Sequence, residues 1–251
     1  MRTFLLAAAL ATGLAAPALA AGDAPKPPAQ DWSFGGLFGT FDRAATQRGF
    51  QVYKEVCAAC HGVYQLSYRN LAEIGFNEEE VKGIAAQATV RDGPNDEGEM
   101  FERPGRPSDK FARPFANEKA ARAANNGAYP PDLSLIVKAR PDGANYLHGL
   151  LTGYGPAPAG MTMGDGMNYN KYFPGHQIAM AAPLVDNGVT YSDGTPASVD
   201  QMAKDVVTFL AWAAEPELEE RKRTGIKVIL FLLILTGLLY ATKRKIWAAL
   251  H

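Results

Sequence analysis

The sequence predicts a mainly α, loop-rich fold carrying one C-terminal transmembrane helix, and three observations carry that expectation. Segments 42–56, 77–87, 144–153 and 199–214 place apolar residues at helical spacing. Glycine (25) and proline (17) are abundant among the 251 residues, above the roughly 12% usual for globular chains. Long connections without regular structure are therefore expected between the helices. Near the end, residues 226–240 (IKVILFLLILTGLLY) are apolar on every face and bounded by cations, the pattern of a membrane span rather than of a buried soluble helix. The charge balance excludes a nucleic-acid role, since 25 Lys+Arg against 26 Asp+Glu leave a net charge of -1 and no basic field.

Taken in order, the chain opens with Met1-Arg2-Thr3, an apolar run over 4–16 and Pro17-Ala18-Leu19-Ala20. Charged start, apolar run and small-residue site stand in the order of an export signal, so 1–20 is expected to be removed. The Ala/Pro/Lys stretch 22–30 reads as a flexible leader. The string WSFGGLFGTF (32–41) has no period and reads as a loop that packs aromatic rings on the domain. Asp42 is then a plausible N-cap for a helix with Ala45, Gly49, Val52, Tyr53 and Val56 on one face. Gly49 costs such a helix about 1 kcal/mol relative to alanine, which suggests close contact with another helix there.

This first helix leads into Cys57-Ala58-Ala59-Cys60-His61, which contains both cysteines of the protein. Cysteines three positions apart can add across the two vinyl groups of one porphyrin, and the histidine that follows is carried beneath the iron as an axial ligand. A zinc site would need a second pair of ligands, and no further cysteine exists to supply one. A redox dithiol is expected in an alternation of strands and helices, not after a helix in a Gly/Pro-rich chain. The motif therefore predicts one haem c, attached covalently through two thioethers at Cys57 and Cys60, with His61 as metal ligand.

Beyond the motif, Arg69 is a candidate partner for a haem propionate. Glu78, Glu79 and Glu80 open the predicted helix 77–87, and Asp96, Glu97 and Glu99 fall in a Gly/Pro loop. These acids make either a solvated face or a docking patch for a basic electron-transfer partner. Pro130 and Pro131 fix an extended corner with few free donors, where a carbonyl can accept His61 Nδ1–H and turn Nε2 toward iron. For the sixth ligand the residues leave several candidates open: Met180 among small neighbours, Met161, Met163 and Met167, and the histidines His148 and His176. In 186–196 (DNGVTYSDGTP), two Asp/Asn-Gly signals predict a small hairpin. Ser198 and Gln201 form a capping-box pattern for the helix 199–214. Its apolar stripe should cross the first helix near Gly49 and Phe50, and Pro216 should end it.

The segment RPSDKFARPFANEKAARAANNGAYPPDLSLIVKAR, which ends at Arg140, resembles the pattern of the cytochrome c1 family, the membrane-anchored c-haem subunits of quinol:cytochrome c oxidoreductase (cytochrome bc1) complexes. The run from Asn117 to Asn125 followed by Asn126-Gly127-Ala128-Tyr129-Pro130-Pro131-Asp132 carries most of that likeness. Leu150-Leu151-Thr152-Gly153-Tyr154 and the loop around Phe173-Pro174-Gly175 and Ile178-Ala179-Met180 extend it. The resemblance implies a class I cytochrome c head, Met180 as sixth ligand, Pro130 as the carbonyl holding His61, Arg140 as a propionate-contacting cation and Tyr146 near the haem. A methionine ligand closes the iron to substrates and raises its potential. Some relatives carry an extra disulfide that two cysteines cannot supply here, and the Gly/Met-rich loop 160–168 is the candidate to replace it.

The expected organisation is a signal peptide (1–20), a periplasmic head (21–220) and an anchor with a short cytoplasmic tail (221–251). A helix from Thr224 to about Ile246 is long enough, at about 1.5 Å per residue, to cross ~30 Å of hydrocarbon. Cations stand on both sides (Arg221, Lys222, Arg223 and Lys227; Lys243, Arg244 and Lys245) and do not orient it, whereas export places the head in the periplasm and the span in the cell inner membrane. The resemblance implies one-electron transfer from a Rieske iron–sulfur protein to a soluble cytochrome c, with cytochrome b as membrane partner. No residue of the chain itself is expected to be catalytic. A tethered haem enzyme or gas sensor would require an open sixth position, and a standalone tail-anchored carrier would require no complex.

Overall fold

The computed structural model describes residues 24–248; the expected export signal lies outside the described residues. The architecture is mainly helical. Helices α1 (Arg43–Glu55), α2 (Glu78–Ala86), α3 (Glu118–Ala124), α4 (Gly143–Thr152), α5 (Val199–Ala214) and α6 (Leu218–Trp247) are joined by long connections that hold two short antiparallel pairs. These pairs are β1 (Thr89–Asp92) with β2 (Phe101–Pro104), and β3 (Asn168–Tyr169) with β4 (Gln177–Ile178). The first was not foreseen: the Gly/Pro loop 93–100 is the turn of a hairpin, and Arg103 on β2 ties Asp92 to Asp109 across it.

The head is organised on the crossing of α1 and α5. Asp42 caps α1, its side chain accepting from Ala45 N at 3.1 Å. Gly49 lies where the helices meet: a Cβ there would stand 2.0 Å from the Asp205 carbonyl oxygen and 2.8 Å from Phe209 Cβ. The contact proposed from the glycine alone is thus present, between backbones. Beside it, Arg48 holds the fully buried Asp205 with both carboxylate oxygens, Nε at 2.9 Å and Nη2 at 3.1 Å. Phe50, Tyr53, Phe111, Phe209 and Trp212 fill the space around the crossing with tilted and edge-to-face rings. Helix α4 packs on α5 as well.

At the start of α5, Ser198 accepts from Gln201 N, but the Gln201 amide turns to Asp205 instead of returning to the cap. The buried carboxylate outcompetes the capping box. The hairpin expected at 186–196 does not form. Asp186 instead accepts from Val199 N at the head of α5, Asn187 N donates to the Ala197 carbonyl, and Val189 and Tyr191 are buried. The segment lies against α1 instead, with Gln51 donating to the Thr190 carbonyl at 2.9 Å and the Arg48 guanidinium over the Tyr191 ring.

Helix α6 runs unbroken for 30 residues and contains a window of mean hydropathy 2.1 with none of it buried. At about 1.5 Å per residue it is ~45 Å long, enough to cross a bilayer core with a turn or two to spare. It begins at Leu218 rather than Thr224, so the charged residues 219–223 ahead of the expected start are helical too, and one rod runs from the head into the apolar run. The string 32–41 is a loop that packs rings, as expected: Trp32 stacks on Phe34, and Phe34 meets Phe41 at a tilt.

Candidate functional site

The end of α1 passes into a 3₁₀ turn, Cys57–Ala59, closed by Cys60 N and His61 N donating to the Cys57 carbonyl at 3.1 and 2.8 Å. That turn displays Cys57, Cys60 and His61 from one rigid start. His61 Nδ1 lies 2.7 Å from a backbone carbonyl of the Pro-Pro corner, and the acceptor is Pro131, not the expected Pro130. The register is set by the next residues. Leu133 N donates to the Gly62 carbonyl at 2.7 Å, Tyr64 N to Asp132 Oδ2 at 2.9 Å and Gln65 N to Ser134 Oγ at 3.0 Å. Asp132 also accepts from Ser134 N in an Asx turn. Segment 131–134 is therefore laced to 62–65, and it is the Pro131 carbonyl that falls under the imidazole. On the other side, the Tyr53 hydroxyl donates to the His61 carbonyl at 3.1 Å.

With Nδ1 committed to a carbonyl, Nε2 is the nitrogen left for a metal, and no hydrogen bond engages it among the described residues. Burial pushes the His61 pKa down, more than the Pro131 carbonyl and Asp132 raise it. The ring is therefore neutral at neutral pH, the form that ligates. Burial, with Cys60 adding to it, pushes the Cys57 thiol up to about 12. That is the reverse of the low pKa an attacking redox dithiol needs. Among the described residues, no group of three or more His, Cys, Asp and Glu side chains is arranged to hold a metal ion, so the zinc reading has no ligand set. The donor chemistry fits a haem c, which Cys57 and Cys60 would hold through thioethers and whose iron His61 would ligate.

Met180 follows β4 and is half-buried between Ala179 and Ala181. The Tyr154 hydroxyl donates to its backbone carbonyl at 3.1 Å, tying this strand to the chain just beyond α4. The fully buried Asn170 strengthens that tie by donating to the Leu150 carbonyl and accepting from Tyr172 N. Of the two histidines that compete for the ligand role, His148 is buried against Trp32 with Nε2 3.1 Å from Asp200 Oδ1 but in no hydrogen bond among the described residues, and His176 stacks on Tyr169 with Nδ1 3.4 Å from the Asn170 carbonyl. Met161, Met163 and Met167 are half-buried like Met180. Their loop is held to β4 by Gln177, which accepts from Gly164 N at 2.9 Å.

Arg140 is exposed, donates only to the Ala139 carbonyl, and has no carboxylate partner among the described residues. It stands close enough to Tyr146 to offset part of the rise that burial gives that phenol, and Tyr146 in turn helps raise Tyr154. Arg140, Tyr146 and Tyr154 thus share one region, with Met180 joined to it through Tyr154. Arg69 is exposed. From sequence, Pro131 was read only as half of the proline corner, Tyr53 only as a helix-face residue, and Asp132 and Tyr154 only as parts of the family pattern. Only the Asp-x-Ser turn after the proline pair carried a local signal for one of them.

Comparison with known proteins agrees with this reading. A family profile described as Cytochrome C1 family matches residues 32–250. The chain is 50% identical over 234 residues to a cytochrome c1 of Rhodospirillum rubrum, covering 87% of this chain and 86% of that one. It is 55% identical over 224 residues to a cytochrome c1 heme protein of Arabidopsis thaliana mitochondria, covering 89% and 73%. It is 52% identical over 248 residues to a protein of Bradyrhizobium diazoefficiens named cytochrome b/c1, with 90% of this chain matching 36% of that longer one. On the sequence match across the whole head and span, the chain belongs to the cytochrome c1 family.

Proposed function

We propose that this chain is a membrane-anchored, haem-carrying electron-transfer subunit of a cytochrome bc1 complex in a respiratory chain. In this reading it takes one electron from a Rieske iron–sulfur protein and gives it to a soluble cytochrome c. The observation that carries the proposal is the turn at Cys57–Ala59 with His61 Nδ1 fixed on the Pro131 carbonyl. Cys57 and Cys60 would hold a single haem c by thioethers, with His61 and Met180 as the axial pair. A haem bound there supplies a one-electron iron couple, its potential raised by the methionine.

The protein's own share is fixation and tuning. The 131–134 clamp holds the imidazole against rotation, Tyr53 and Tyr154 pin the backbone at the two ligand positions, and Arg140 offers a cation for a propionate. No side chain is asked to make or break a bond of a substrate, so catalysis belongs to the assembled quinol:cytochrome c oxidoreductase. Cytochrome b is the expected membrane partner, a reading supported by the relative whose single chain bears both names. The head is assigned to the periplasm and α6 to a single pass of the cell inner membrane, with 1–20 removed on export.

The test is a redox difference spectrum of the protein purified in mild detergent from its native membrane. Stoichiometric b-type haem, a Rieske signal and quinol-dependent reduction of cytochrome c are expected; c haem alone under conditions that preserve assemblies would overturn the assignment of partners. In the same preparation the reduced native protein should not bind carbon monoxide, whereas Met180→Ala should. Carbon monoxide binding by the native protein would remove Met180 from the ligand role.

A further inference from the structure

The loop 33–40 has no part in the site. Its ends are closed by Thr40 N donating to the Ser33 carbonyl at 3.0 Å, and Gly35 N donates to the Trp32 carbonyl at 2.8 Å. Gly36 takes a positive φ of 63°, a conformation that suits glycine. Trp32 and Phe34 turn inward onto the core. Leu37 and Phe38 turn outward, 61% and 78% exposed, and Phe38 is more exposed than any large apolar residue of α6. A rigid loop that spends two of its apolar side chains on water needs another partner for them.

The loop is fastened to the first turns of α6 by bonds that give it a direction. Phe41 N donates to Glu219 Oε1 at 2.8 Å, and Arg43 pairs with the same carboxylate. Lys222 Nζ donates to the Gly39 carbonyl at 2.9 Å and to the Phe34 carbonyl at 2.8 Å. Followed from Phe41 back to Gly39, the contacts step from Glu219 to Lys222, about 4.5 Å along the helix toward its apolar run. The next residues back are Phe38 and Leu37. Val228, six residues or about 9 Å further along α6, is where its exposed large apolar residues begin.

We propose that this loop is an interfacial wedge, with Leu37 and Phe38 entering the headgroup and acyl boundary of the bilayer that α6 crosses. The choice of lipid over a protein surface rests on two features. The loop is bonded to Lys222 just ahead of the apolar run of α6, and Arg221, Arg223 and Lys227 flank that point in sequence, cations that suit a headgroup layer. Moreover, Gly35-Gly36-Leu37-Phe38 offers no polar side chain to specify a protein partner. Lys222 then works on both sides of the boundary: its ammonium bonds two loop carbonyls while its stem lies along the helix. Two apolar side chains sunk beside the span would fix how the rod tilts and rotates against the membrane, and hence the orientation of the head that α6 carries without a linker. The inference rests on α6 crossing a membrane and not on the redox reading.

The experiment places a nitroxide label at Leu37→Cys, at Phe38→Cys and, as a water-exposed reference, at Glu97→Cys in the full-length haem-loaded chain. The unsubstituted chain serves as a blank for its own two sulfurs. Collision with oxygen and with a water-soluble nickel chelate is measured by electron paramagnetic resonance in phosphatidylcholine vesicles and in the assembled complex in its native membrane. The expected result is a nickel-to-oxygen ratio severalfold lower at 37 and 38 than at 97 in both settings. A ratio at 37 and 38 equal to that at 97 in either setting overturns the proposal. Labels shielded from both probes in the complex alone overturn it too, in favour of a neighbouring subunit.

Discussion

Replacing Gly49 by alanine sets two effects of opposite sign against each other. In a helix interior the change is favourable by about 1 kcal/mol from backbone propensity. At this crossing, however, the new Cβ would lie 2.0 Å from the Asp205 carbonyl oxygen and 2.6 Å from its carbon, where a close carbon–oxygen contact is about 3.3 Å. Both partners are backbone, so no rotamer change relieves the overlap, and α1 and α5 must separate by roughly 1 Å. A gap of that size forfeits a quarter to a half of each contact it opens, and overpacking a core costs ~1–3 kcal/mol or somewhat more. With the rigid crossing at the upper end of that range, the net loss is about 2 kcal/mol, a fall of ~4–8 °C in Tm for a domain of this size. Thermal unfolding of the full chain in mild detergent, followed by circular dichroism, measures it. A Tm that is unchanged or raised by a few degrees would mean that helix propensity governs the site, and the close-approach argument would be refuted.

Other expectations concern charge. Asp205→Ala removes a buried carboxylate that Arg48 and Gln201 both engage, and should cost about 3 kcal/mol or more in urea unfolding; a loss under 1 kcal/mol would show that Asp193, which already accepts from Arg48 Nη1 at 2.8 Å, suffices to hold that guanidinium. The Arg103 guanidinium holds the Asp109 carboxyl at about 2, below its ordinary 3.8. Because the folded pKa is the lower one, the stability this group contributes is complete above about pH 4 and fades as pH falls through 2. The stability gap between the native chain and Asp109→Asn should therefore narrow between pH 4 and 2 and stay constant from pH 5 to 7; a gap independent of pH would contradict this. Arg140→Gln should lower the haem midpoint potential, since a nearby cation favours the reduced iron; unchanged potential together with unchanged stability would remove Arg140 from the propionate.

Much of this protein was legible in one dimension because its main features repeat or sit close together in sequence. Cys57, Cys60 and His61 lie within five residues, so a single turn brings them together whatever the rest of the fold does. The helices α1, α2, α4 and α5 followed from apolar spacing, and two of them also from the caps at Asp42 and Ser198. The apolar run of α6 needs no partner to be recognised, and Gly49 announced a close approach because a glycine in a helix interior is otherwise a cost.

Tertiary structure alone decided the long-range choices. Pro130 and Pro131 both lack an N–H and both present a carbonyl; only the bonds from 62–65 to 132–134 set which of them meets His61. That Asp205, the residue Gln201 prefers to its own cap, is held in place by Arg48, and that Thr190 and Tyr191 meet α1 instead of a strand, depend on a crossing partner far away in the chain. Tyr154 found Met180 across 26 residues. Local spacing encodes periodicity and turn chemistry, and so it named the cysteines, the histidine and the helices. It carries no measure of which distant backbone atom will lie opposite, and so the carbonyl beneath His61 was settled only by the folded chain.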